Sequence, residues 1–516
     1  MHPGAPTLSA SDVLALLVDP GSFEPWDSDA PGDPLRFEPG DGSSYKSSLL
    51  ETERRLGEPS SEAILTGRAR VDGQEVALIV SDFRFMGGSI GVVAGEKLVD
   101  AFERALFASI PVVSFIASGG IRMQEGPFAV LQMVKSSVAA MHLRRAGLAH
   151  ITFLGNPTIG GALVSWGSLG TFTFAVPGAL IGFAGPRVVE VLSGKALPPH
   201  VQVAENLLRR GLIDDLVSPP EMRDRVIYVL SVLQDRVHPA EKPDYRAAKA
   251  IPERGRGQPA DPWRSVQWSR DSLRPDSWDV LVTCGSELTF LDGSRSEWSS
   301  NGFIAAVGRI CGISAVFLGH DRRNSPLRAA VGPLGLRKAQ RAIQVARELK
   351  LPLVTVIDTP GAQLSRSAEE GGLSFHIAET MVRMATLDSP TLSVILGEGG
   401  GGAALSLLPA DRILAADNSW LAPIAPEGGS AILWGTPDFA AVLTRHQGIT
   451  ARELERFGIV DRVVAEYPSA AMEKEQFLER LRGVIELELH KLISEDNAER
   501  LEMRERRYRR VGSPSG

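Results

Sequence analysis

Backbone amides, more than any side chain, are the groups whose placement in this sequence could do chemistry. In the first half, Gly119-Gly120 follow the apolar run Pro111–Ala117, and Gly160-Gly161-Ala162 follow His150–Leu154. The second half repeats both features as Gly361 after Pro352–Ile357 and Gly402-Ala403 after Thr391–Leu396. Glycine permits positive φ and close backbone approach. A strand that ends in such a turn and opens a helix leaves free N–H groups at the helix start. Two such turns can aim donors at one oxygen, forming an oxyanion hole where negative charge develops on a carbonyl. Tight strand–helix packing alone would also use these glycines, and the residues leave both readings open.

The side chains offer less. Nine histidines are scattered, none beside a Cys or Ser motif. His376 reads as a packed or surface histidine. Asp358 ends a strand and reads as a turn or cap residue. Glu125 and Glu398 stand at turn positions where either could cap a helix. Two cysteines, Cys284 and Cys311, provide neither a disulfide framework nor a four-cysteine zinc site, and no metal is expected. Gly397-Glu-Gly399-Gly-Gly-Gly402 matches the dinucleotide fingerprint G-x-G-x-x-G, with Asp417 20 residues after its first glycine. Against that reading, the equivalent turn Pro157–Gly161 has no G-x-G, and the run lies deep within its half. No Ser-His-Asp arrangement can be argued, so a base would have to come with a substrate or cofactor.

The elements that must position these turns repeat. The offset is 241 residues from Pro111 to Pro352, from Gly120 to Gly361 and from Gly161 to Gly402. Helical apolar spacing appears over Gly95–Phe107 and Gly335–Leu349, then over Phe128–Leu143 and Phe375–Ala385. Gly211–Val217 matches Gly458–Val464 with an offset of 247. Both halves therefore share a β-α-β-α order, an α/β architecture arising by duplication or fusion. The expected organisation is an arm over 1–45, a first domain over 46–236, a linker over 237–263, a second domain over 264–497 and a charged, solvated tail over 498–516.

Composition restricts the class. The 516 residues are 43% hydrophobic, enough for large cores. With 55 basic and 62 acidic residues, the net charge of −7 argues against nucleic-acid binding. The start of the chain lacks the basic and apolar regions of a signal peptide. Residues 155–185 carry no charge, but eight glycines and two prolines read as short buried elements, not a membrane span. A cytoplasmic location is expected.

The first half resembles the β subunit of bacterial acetyl-CoA carboxylase carboxyltransferase, through Phe83–Gly91, Ser118–Glu125, Asn156–Gly161 and Ala179–Arg187. The second half resembles the α subunit, through Gly335–Ala339, Ile357–Ala362, Gly397–Gly400 and Pro426–Leu433. The single-chain order is also similar to the carboxyltransferase chains of acyl-CoA carboxylases. The resemblance covers about residues 45–235 and 295–466. Three departures stand out. There is no four-cysteine zinc ribbon, Gln363-Leu364-Ser365 replaces Tyr-Pro-Gly, and Gly402-Ala403 replaces a glycine pair.

The resemblance implies two tandem ClpP/crotonase-like domains that move a carboxyl group from carboxybiotin to the α-carbon of an acyl-CoA, acetyl-CoA or propionyl-CoA. It implies enolates held in two oxyanion holes. Gly119, Gly120, Gly160 and Gly161 would serve the thioester, and Gly361, Gly402 and Ala403 would serve biotin. Arg122, Arg187 and Lys195 are expected to meet CoA phosphates, and Ser406 to tune acyl length. No Met-Lys-Met biotinylation site is present, so biotin is expected on a separate biotin carboxyl carrier protein, recharged by a separate biotin carboxylase. In related enzymes the two substrates meet between halves of different protomers, which implies a homo-oligomer, a dimer or a trimer of dimers. The alternatives are a biotin-independent malonyl-CoA decarboxylase-like lyase and a non-catalytic paralogue within a carboxylase complex.

Overall fold

The computed structural model describes residues 5–26, 43–56, 62–234, 261–291, 302–322 and 330–510. The chain forms two compact units, divided after Ser231. Each is built on an eight-stranded sheet.

In the first unit the strands are β1 (Glu24–Pro25), β2 (Ile64–Val71), β3 (Gln74–Ser81), β4 (Val112–Ser118), β5 (His150–Ile159), β6 (Phe172–Ala175), β7 (Ile181–Gly182) and β8 (Asp215–Leu216). The order is β1-β2-β3-β4-β5-β6-β8, with β7 pairing the end of β5. Strands β2 and β3 form a hairpin whose turn, Asp72-Gly73, has φ of 52° and 75°. Two successive positive φ values match the right-handed twist of the flanking strands. From β3 onward the ladder is parallel, and β4 is buried at every residue, as a strand covered on both faces must be.

The second unit repeats this plan with β9 (Gly285–Phe290), β10 (Phe303–Ile310), β11 (Ile313–His320), β12 (Leu353–Thr359), β13 (Thr391–Gly400), β14 (Arg412–Ala416), β15 (Trp420–Ala422) and β16 (Arg462–Val464). The order is β9-β10-β11-β12-β13-β14-β16, with β15 on the end of β13. The helices Val92–Ala108 and Pro333–Leu349 take equivalent places, and both stop at a left-handed residue, Ser109 and Lys350, again 241 apart. On the other face of the second sheet, Phe477, Leu481, Val484, Ile485, Leu489 and Leu492 bury one stripe of the helix Lys474–Ser494.

Three expectations change. Part of the expected arm over 1–45 is packed structure. Ser9 caps the helix Ala10–Leu17, whose Ala10, Val13 and Leu17 are buried, and Asp19 accepts the Asp72 and Gly73 amides of the β2–β3 turn. The supposed solvated tail is docked: the helix Asn497–Arg510 buries Arg500 and Arg504 against Asp411. The dominance of charge in this helix predicts a solvated face, but one carboxylate makes two of its arginines core residues. Most of the expected linker lies outside the described residues. Its last residues, from Asp261, already cap and start the helix Pro262–Ser269, which packs into the second unit through the Trp420 Nε1 to Ser269 Oγ bond of 3.0 Å.

Candidate functional site

Both predicted pairs of turns form, one pair in each unit, and their hydrogen bonding repeats. In the first unit Ile90 N–H donates to Gly120 O at 2.8 Å and Arg122 N–H donates to Ile90 O at 3.0 Å. In the second unit Val331 N–H donates to Gly361 O at 3.1 Å and Gln363 N–H donates to Val331 O at 2.9 Å. A hydroxyl steadies each turn: Gly120 N–H donates to Ser118 Oγ at 3.1 Å and Gly361 N–H donates to Thr359 Oγ1 at 3.2 Å. Gly120 and Gly361 have φ of 111° and 142°, a region that favours glycine.

The second turn of each pair is presented by a break in register. Ile116 pairs Leu154, yet Ser118 pairs Thr158. Likewise Ile357 pairs Ile395, yet Thr359 pairs Gly399. Each break puts two extra residues into the longer strand, a bulge that re-aims the chain beyond it. The sequence pattern stopped these strands at Leu154 and Leu396, because glycine and proline follow. The structure extends them to Ile159 and Gly400, where β7 and β15 supply new partners. Gly397–Gly400 therefore lies within β13, whereas a dinucleotide fingerprint needs those glycines in a strand-to-helix turn.

The amides divide by engagement. Gly119 N–H donates to Gly87 O at 2.8 Å and Gly160 N–H to Gly182 O at 3.1 Å, so both hold the turn together. Gly161 and Gly402 stand in the first turns of the short helices Gly161–Val164 and Gly401–Leu405, where N–H groups have no acceptor within the helix. A Cβ on Gly120 would come within 3.3 Å of Gly161 N, so the two first-unit turns touch. Ala403 is fully buried, so its methyl takes no room outside the fold.

Around Gly401 and Gly402 the second unit opens a pocket of about 630 Å³. Leu405, Leu421, Ile449, Leu454 and Phe457 give it apolar walls, and Gln447 a polar group. Ser406 does not line it. The Ser406 side chain is fully buried, with its hydroxyl donated to Ala403 O at 2.7 Å, as Ser165 donates to Gly161 O at 2.6 Å. Ser406 is thus packed as a helix serine directly behind the Gly402 turn.

The cations also separate. The Arg122 side chain is completely buried and forks onto both oxygens of Glu62, at 2.9 and 2.5 Å, with Glu125 at 3.5 Å. A guanidinium so enclosed cannot meet a phosphate, so Arg122 braces the first turn instead. Glu125 does cap a helix, but a distant one: it accepts Val92 N–H, at the start of Val92–Ala108, and the Tyr45 hydroxyl. Arg187 and Lys195 are exposed at the two ends of the helix Pro186–Ser193, which has no buried residue.

Sequence reasoning did not anticipate an ion cluster around the buried carboxylates of Asp358 and Glu398, in which Arg270 and Glu427 are partly exposed. Arg322 donates to Asp358 at 2.6 Å, and Arg270 to Glu398 at 2.7 Å and to Glu427 at 2.5 Å. Burial pushes the Glu398 carboxyl above its ordinary value, with Asp358 adding to the rise and the arginines opposing it. Arg270 belongs to a segment about 130 residues before Glu398, so no local spacing signals the pair. His376 is half-buried, with Gln340 Nε2 3.5 Å from its Nδ1. Among the described residues no three His, Cys, Asp or Glu side chains could hold a metal, and no helix is long and apolar enough to cross a membrane.

Two α/β units, each ending two buried parallel strands in paired glycine turns, define a tandem crotonase-like protein. The comparisons agree. A family model described as acetyl co-enzyme A carboxylase carboxyltransferase-like matches residues 256–512. The chain is 43% identical over 507 residues to a Mycobacterium tuberculosis protein named probable biotin-dependent acyl-coenzyme A carboxylase beta3 subunit, covering 98% of this chain and 99% of that one. It is 36% identical over 525 residues to the acetyl-coenzyme A carboxylase carboxyl transferase subunits beta/alpha of Salinispora arenicola, covering 98% and 91%. In fold it is similar to transcarboxylase 12S, a hexamer solved with methylmalonyl-coenzyme A bound. The TM-score is 0.74 at 19% identity, over 95% of this chain and 91% of that one. The chain belongs to the carboxyltransferase family of biotin-dependent acyl-CoA carboxylases and is an enzyme of that family.

Proposed function

We propose that the chain transfers a carboxyl group between carboxybiotin and the α-carbon of a short acyl-CoA, acetyl-CoA or propionyl-CoA, using one backbone oxyanion hole in each unit. The observation that carries the reading is repetition: the Gly120 and Gly361 turns share one hydrogen-bond pattern, and the same register break presents the second turns, at Gly161 and Gly402. In the first unit the Gly161 amide would hold the thioester oxygen as negative charge develops there. In the second, the Gly402 and Ala403 amides would hold the ureido oxygen of biotin.

The residues present fit biotin. The pocket beside Gly402 is apolar on several sides, as a bicyclic ring requires, and nothing lies closer than 3.7 Å to where a Cβ on Gly361 would be. Biotin, when bound, supplies the carboxyl group. The apolar walls would exclude water, and without water the amides act on charge more strongly. Arg187 and Lys195 are the cations left to steer CoA phosphates.

The reading includes a biotin carboxyl carrier protein and a biotin carboxylase as partners, a cytoplasmic setting and a homo-oligomer. Support for the oligomer comes from the helix Pro186–Ser193, where Val191 and Leu192 are 81% and 82% exposed, because an apolar face of this kind marks an interaction surface. Incubating the purified chain with malonyl-CoA, with and without biocytin, and following acetyl-CoA tests the reading. Release that depends on biocytin supports it. Release without biocytin favours a lyase, and no turnover with any short malonyl thioester favours a non-catalytic paralogue.

A further inference from the structure

Asp358, the penultimate residue of β12, sits where three independent features meet. The first is the register break that inserts two extra β13 residues just before Gly400–Ala403. The second is what fills that break. Asp358 Oδ1 accepts the Glu398 N–H at 2.9 Å, and a Cβ on Gly397 would lie 2.4 Å from the same oxygen. Gly397 is bare because the carboxylate occupies that space. The third is the grip on the carboxylate: Oδ2 takes Arg322 at 2.6 Å, and Arg322 also faces Glu398 at 3.9 Å. The first unit holds its equivalent bulge without charge, through Thr158 Oγ1 donating to Ile116 O at 2.7 Å and Asn156 Oδ1 accepting Leu180 N–H at 3.0 Å.

We infer that Asp358 is a positioning residue for the second glycine turn: gripped by Arg322, its carboxylate holds the β13 bulge and so aims the Gly402 and Ala403 amides relative to Gly361. Asp358 is 1% exposed and does not line the pocket, so it acts through the backbone and not on a substrate. The inference rests on the proposed role of that turn in holding biotin.

Asp358→Asn keeps an acceptor for Glu398 N–H and loses the charge toward Arg322, whereas Asp358→Ala loses both. Arg322→Gln loosens the same grip from the other side. Asp411→Asn is the control, a carboxylate equally buried that bonds Thr391 N–H at the opposite end of β13. Two quantities are measured on the full chain: amide exchange of the peptide containing Gly397–Ala403, and biocytin-dependent decarboxylation of malonyl-CoA. The Asp358 and Arg322 variants should exchange faster over Gly397–Ala403. Their kcat should fall roughly 10- to 100-fold, the size expected for a misplaced catalytic group. KM for malonyl-CoA should stay within about twofold, since that substrate is assigned to the other unit. Asp411→Asn should lower stability and change neither quantity. Unaltered exchange in the Asp358 variants, or an equal kcat loss in Asp411→Asn, overturns the inference. A wild type that transfers no carboxyl group sinks the proposed function instead, and the exchange measurement alone then decides the role of Asp358.

Discussion

Arg504 donates from Nε and from one terminal nitrogen to the two carboxylate oxygens of Asp411, at 2.7 Å each, with both side chains 1% exposed. Arg500 reaches the same carboxylate at 2.6 Å, and Asp411 also accepts Thr391 N–H at 2.7 Å. A single acid thus joins the C-terminal helix to the start of β13. Asp411→Ala would leave two guanidiniums buried and unpaired, and should cost about 3–5 kcal/mol. Urea unfolding measures it. Arg366→Ala, which breaks an exposed pair with Glu370, should leave the midpoint unchanged.

Glycines of the second turn should differ in tolerance. A Cβ on Gly400 would meet Pro360 O at 2.0 Å, whereas one on Gly402 would meet only the Ile377 methyls, Cγ2 at 3.3 Å and Cδ1 at 3.6 Å. Gly402→Ala should fold and retain activity, and Gly400→Ala should lose both, by circular dichroism and carboxyl-transfer assay. The backbone cannot retreat as a side chain can.

Bulk at Gly161 and at Gly402 tests the assembly. Blocking either position should abolish transfer. If active sites form across protomers, mixing the two inactive variants should restore about a quarter of the activity in a random dimer population. No recovery despite demonstrated subunit exchange would show that each chain builds its own site.

The cations should separate by readout. Arg187→Glu or Lys195→Glu should raise KM for acyl-CoA about tenfold with kcat little changed, the signature of lost substrate binding. Arg122→Met should instead lower stability by about 3–5 kcal/mol, because Glu62 and Glu125 lose their buried partner. A raised KM with normal stability in Arg122→Met would restore it to the substrate site.

Two buried histidines make stability depend on pH. Burial pushes His150 down to about 3 and His320 down to about 4 from 6.5. Well above 6.5 both are neutral folded or unfolded, and they add no pH dependence. Below it the unfolded chain binds protons that the native chain does not, so stability falls as pH drops toward about 4. Each histidine contributes a slope of up to about 1.4 kcal/mol per pH unit. His150→Gln should flatten the acid limb of a stability–pH curve, and an unchanged slope would show that His150 is protonated when folded.

The architecture was legible because it rests on local patterns. Apolar β-branched runs, helical spacing and the 241-residue offset identified both α/β units and placed both pairs of glycine turns, down to Gly161 and Gly402. Turn chemistry depends on a few adjacent residues, and that information survives in one dimension. What only the tertiary structure decided are the partners of charged groups. Arg122 reads as a free cation until Glu62, 60 residues earlier, closes on it. The last helix reads as solvated until Asp411 buries two of its arginines, and Asp358 reads as a cap until Arg322 and the bare Gly397 show that it fills a bulge. Periodicity reports which face of an element is apolar. It carries no record of which distant charge arrives there, because that pairing forms only when the strands align and exclude the water that would otherwise solvate both partners.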